Sequence, residues 1–80
     1  MEPPKTAEKA LNSRIAANVR RVISDRQITR VTLAEQTGIP YATLKSKVSG
    51  KRPLSSTDVI ALSEALDVDP GVILGTAVAS

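Results

Sequence analysis

Eighty residues make room for one small domain. The chain has no cysteine, no histidine and a single aromatic, Tyr41; this excludes disulfides, thiolate metal sites and the commonest general base, and leaves no platform for stacking single-stranded nucleic acid. The net charge of +3 conceals a split, with nine bases against two acids over residues 13–53 and four acids against no base over residues 54–80, a pattern that turns one face toward a polyanion and another away from it.

Residues 1–5, with Pro3 and Pro4, are expected to form a disordered or extended leader. A single domain over 6–75 and a short tail over 76–80 should follow. Leu11, Ile15, Val19, Val22 and Ile23 recur at helical spacing and make one stripe on a first helix ending near Arg26 or Gln27. Thr6 could cap it, or Asn12 or Ser13 could cap a shorter version. Thr29 is the expected N-cap of a second helix over about residues 30–37, with Leu33, Ala34 and Val31 as inward candidates. Gly38 supplies the left-handed stop, and Ile39 and Pro40 complete a tight turn.

A third short helix is expected from about Tyr41 to Val48 or Ser49, closed by Gly50 and followed by the basic loop Lys51-Arg52-Pro53. Ser55 and Asp58 have the spacing of a capping box, opening a fourth helix to Leu66 with Val59, Leu62, Ala65 and Leu66 inward. Asp69 and Pro70 read as N-cap and first residue of a last helix ending at Gly75. No segment has the period of a strand, so the fold class is all-α. No run of 18 apolar residues and no signal-type apolar core occurs, which makes the cytosol the default compartment and leaves no membrane partner.

Residues 30–49 carry the function. Two short helices joined by a turn containing glycine follow the helix-turn-helix plan. Ala34 must be small where the second helix crosses the first, Gly38 permits the positive φ of the turn, and Ile39 and Leu44 fill the wedge. The open side of the third helix can then be offered to a major groove.

The spacing Leu33-Ala34-x-x-x-Gly38-Ile39-x-x-x-x-Leu44, then Ser49-Gly50-Lys51-Arg52-Pro53-Leu54, then Ala65-Leu66-Asp67-Val68-Asp69-Pro70, resembles the Cro/repressor helix-turn-helix family. That family includes phage immunity repressors and many bacterial regulators, and the resemblance runs from about Ile15 to Leu74. It implies a compact five-helix, lambda-repressor-like domain that binds duplex DNA, usually as a dimer on a paired operator, in the cytoplasm of a bacterial host. Such a chain would be a transcriptional regulator, most simply a phage-type repressor.

By that resemblance, base edges would be read by Tyr41, Ala42, Lys45 and Ser46. Phosphates would be held by Arg30, at the start of the second helix, and by Thr43, Lys47, Lys51 and Arg52 around the third. Arg20, Arg21 and Arg26 are open between phosphate and solvent. The sequence departs from the family pattern at three places. Gln27 stands where many relatives carry glycine. Pro40 stands where a capping Ser or Thr is usual. Ile23 and Val48 replace a buried Arg–Glu ion pair, and these two are expected to meet in the core.

At the C-terminal end, Val72, Ile73 and Leu74 cannot all face one small core, so at least one should be exposed. Similar domains meet their twin here, which implies a weak homodimer through Val72, Ile73 or Leu74, strengthened on DNA. The alternative class is an antitoxin-like protein-interaction module with secondary DNA binding. An enzyme is not expected: the serines and threonines lack a base, and no phosphate loop, paired carboxylates or metal cluster is visible, so no cofactor is expected either.

Overall fold

The computed structural model describes the backbone of residues 5–75 and the side chains of residues 10–75. The expected leader (but for Lys5) and tail lie outside those residues. Five helices follow in order: α1 (Lys5–Arg26), α2 (Arg30–Thr37), α3 (Tyr41–Val48), α4 (Ser56–Leu66) and α5 (Pro70–Leu74). No strand occurs among the described residues. The longer version of α1 is the one formed, and it begins at Lys5, the last residue assigned to the leader.

α1 packs against α3, α4 and α5, while α2 packs against α3 and α4. Between them lies one aliphatic core in which Val19, Leu33, Leu44, Val48, Leu62 and Ile73 are fully buried. Ile15, Val22 and Ile23 join it from α1, and Ile28, Ile39, Leu54, Ala65 and Val68 seal its edge. Ile23 and Val48 are both members of this cluster. Leu11 is a correction: it is 53% exposed, because the stripe on α1 continues one turn beyond the buried layer that begins at Ile15. Val31 is likewise turned to solvent, at 54%, leaving Leu33 and Ala34 as the buried residues of α2.

The helix boundaries follow from local chemistry. The Thr29 hydroxyl accepts from the Thr32 N–H at 3.1 Å and starts α2. The Ser55 hydroxyl accepts from the Asp58 N–H while the Asp58 carboxylate accepts from the Ser55 N–H, completing the capping box of α4. Asp69 accepts from the Gly71 N–H, and Pro70 starts α5.

At their C-termini, α1, α3 and α4 each reverse through one left-handed residue, Gln27 (φ 55°), Gly50 (φ 89°) and Asp67 (φ 56°). Each reversal carries the paired backbone bonds of a Schellman turn: Ile28 N–H to Ile23 and Gln27 N–H to Ser24 for α1, with equivalents at Lys51 to Ser46 and Val68 to Ser63. Gln27 therefore occupies a position where glycine is the unstrained residue, and the departure seen in sequence is a real backbone cost.

Candidate nucleic-acid interface

α2 and α3 are joined by Gly38-Ile39-Pro40, with Gly38 at φ 77° and its N–H bonded to the Ala34 carbonyl. A Cβ at Gly38 would meet nothing within 4 Å. Its requirement for glycine is therefore conformational rather than steric. Pro40 makes no side-chain cap, and α3 starts instead from the Leu44 N–H bonded to the Pro40 carbonyl.

Leu44 and Val48 bury one side of α3. The opposite side is open, with Ala42 and Lys45 exposed and Ser46 and Thr43 half-buried; Tyr41, at the first position of the helix, is also exposed (46%). Of the four residues assigned to base contact, Ala42, Lys45 and Ser46 share this face, whereas Tyr41, three residues before Leu44 and seven before Val48, continues their stripe past the core and is exposed at the N-terminal end of α3. The loop after α3 folds back onto it: the Ser46 carbonyl accepts from the Lys51 N–H at 3.0 Å, the Arg52 N–H at 3.3 Å and the Ser49 hydroxyl at 2.9 Å. This anchors Lys51 and Arg52, both exposed, beside the C-terminal turn of α3. Arg30 is half-buried at the first position of α2, where the backbone N–H groups lack intrahelical partners.

Lys47, assigned to phosphate, has an intramolecular partner. Its ammonium is bonded to the Asp58 carboxylate, in the only ion pair among the described residues. Asp58 is buried, which by itself would raise its carboxyl pKa; the bonds from Lys47 and Ser55 outweigh that and hold the pKa below the ordinary value of 3.8. Lys47 thus ties α3 to the start of α4.

Two further basic residues have structural partners that the sequence did not disclose. The Arg20 guanidinium donates to the Val48 carbonyl, the last of α3, at 2.7 Å. That of Arg26 donates to the Asp67 carbonyl, just past α4, at 3.1 Å. Asn18 completes the series by donating to the Ile73 carbonyl in α5 at 2.9 Å. Three side chains of α1 therefore satisfy end carbonyls of three later helices. The signal available in sequence was only that polar residues flank the apolar stripe of α1; their partners lie 28, 41 and 55 residues away.

The aliphatic run at the C-terminal end divides. Val72 (8%) and Ile73 (0%) enter the core, and Leu74 is 44% exposed. Val72 and Ile73 are thus withdrawn from any contact surface, and Leu74 alone of the three is left on the outside.

A short helix with a buried apolar side, an open polar side and a basic rim is the arrangement of a major-groove reader. A family model of the Cro/C1-type helix-turn-helix DNA-binding domain matches residues 18–77. The chain belongs to that family. The Cro/C1-type match spans all of α2 to α5 and most of the core-forming part of α1. No curated protein and no solved structure is a significant match to the chain. As a Cro/C1-type domain it is a DNA-binding domain of the regulator class. Among the described residues no helix is long and apolar enough to cross a membrane.

Proposed function

We propose that this Cro/C1-type domain is a sequence-specific regulator that represses by occupying an operator, in the manner of a phage-type repressor. Tyr41, Ala42, Lys45 and Ser46 read base edges in the major groove. Lys45 is the residue suited to guanine, and Tyr41 and Ala42 are suited to a thymine methyl. Arg30, Thr43, Lys51 and Arg52 hold phosphates and set the register of α3. Lys47 is omitted from that set because Asp58 neutralises it. The observation that carries the reading is the open face of α3 bordered by Lys51 and Arg52, which make no ion pair among the described residues.

The domain acts as a weak homodimer whose contact is centred on Leu74. Support comes from the apolar groove that Leu74 borders together with Ile15, Leu54, Val59, Ile60 and Pro70, in which Ile60 is 52% exposed. A twofold pair would set the two recognition helices about 34 Å apart, one turn of duplex.

Lys45→Ala and Arg52→Ala test the division of labour. Lys45→Ala should change the preferred base at one position of each half-site, with about 1–3 kcal/mol of discrimination lost. Arg52→Ala should weaken all duplexes alike and reduce the salt slope by about one unit. Identical, uniform losses from both substitutions would overturn the sorting into readers and holders.

A further inference from the structure

We propose that Arg20 is a positioning residue for DNA recognition: by holding the last carbonyl of α3 it fixes the rotation of the recognition helix, and it does so without touching DNA. The inference rests on the reader assignment given above for α3.

α3 has only eight residues, and its N-terminus carries no side-chain cap. Between α1 and α3 the core contributes Ile23 and Val48, both apolar and without a directional bond. Directional fastening of α3 to its neighbours comes instead from two adjacent residues at its C-terminal end. Lys47 reaches Asp58 at the start of α4, and the Val48 carbonyl receives the Arg20 guanidinium from α1 at 2.7 Å. The two ties pull toward different helices, so together they resist rotation of α3 about its own axis.

Resistance to rotation matters because the reading side chains project from that axis. A side chain whose tip lies about 6 Å from the axis moves by about 1 Å for a 10° rotation. Such a shift takes a hydrogen bond to a base edge out of range, whereas a phosphate contact made by a long, mobile Lys or Arg adjusts to it. A guanidinium at a helix C-terminus also meets the negative end of the helix dipole, which strengthens the tie.

The measurement is the ratio of affinity for the duplex that wild type selects from a random pool to affinity for generic duplex. It is made across a salt series, well below the melting temperature of each variant. Arg20→Met, which keeps most of the stem and loses the donor, should lower this ratio at least about tenfold with the salt slope unchanged. Arg20→Lys, which retains one charged donor, should restore part of it. Circular dichroism establishes that each variant is folded at the temperature used, and Lys45→Ala is run beside them. A lowered melting temperature with an unchanged ratio would make Arg20 a stabilising cap only and overturn the proposal. A uniform affinity loss with the slope reduced by about one would make Arg20 a phosphate contact, which also overturns it. If Lys45→Ala keeps wild-type base preference, the reader assignment fails on its own account, while the Arg20 ratio still reports on positioning.

Discussion

Asp58 shows how much a single side chain is asked to do. Its carboxylate accepts from the Ser55 N–H and from Lys47, joining the cap of α4 to α3. Its pKa is held below 3.8, so the unfolded chain binds more protons than the folded one as pH falls through this range. The stabilisation is complete above that ordinary value and is lost as pH drops through the lower folded value. Asp58→Asn should destabilise the domain by about 1–3 kcal/mol at neutral pH, since Lys47 is left without its counterion. It should also flatten the acid limb of the stability profile. Urea titrations at neutral pH and at about pH 3 check both; an acid limb as steep as that of wild type would remove Asp58 as its source. The Asp58 cap was readable from Ser55 three residues earlier. The Lys47 partner was not, because a charge in sequence carries no direction and the acid that meets it belongs to another helix.

At the scale of elements, the boundaries were legible wherever one residue caps its near neighbours. Thr29, Gly38, Ser55, Asp69 and Gly75 all stand at the helix ends expected of them. The inward faces were legible less completely, as Leu11 and Val31 have the right period but no layer of core opposite them. Least legible were the ties from Asn18, Arg20 and Arg26, which exist only once α1 lies alongside the ends of α3, α4 and α5. Gln27 offers a direct test of the element-level account. It is exposed and left-handed at the end of α1, so Gln27→Gly removes strain without removing a packed side chain. We expect stabilisation of about 0.5–1 kcal/mol, a rise in melting temperature of a few degrees in a domain this small. A fall in melting temperature would mean that the Gln27 side chain makes a contribution that the backbone argument omits.

For the whole molecule, the bases Lys45, Lys51 and Arg52 are exposed on and just after α3, and none of them makes an ion pair among the described residues. The region from α4 onward carries four acids and no base. The open face of α3 was legible as a set of positions, because burial of Leu44 and Val48 decides which residues face outward. The C-terminal aliphatic run was legible only as a short apolar stretch; the fold sorts Val72 and Ile73 into the core and leaves Leu74 outside, where the proposed pairing contact is placed. Leu74→Glu should leave the fold intact, since the side chain is already 44% exposed, and should abolish cooperative binding of two copies. Sedimentation of the protein alone and with DNA reads this out; two copies bound with wild-type cooperativity in the variant would move the contact elsewhere.

The claim on which the rest depends is that the open face of α3 reads duplex sequence. Selection of bound duplexes from a random pool, followed by sequencing, tests it in one step. The account predicts an enriched motif in two related half-sites about one helical turn apart, at salt high enough to suppress phosphate-driven binding. Recovery of unrelated sequences at every salt concentration, with affinity set by ionic strength alone, would contradict it.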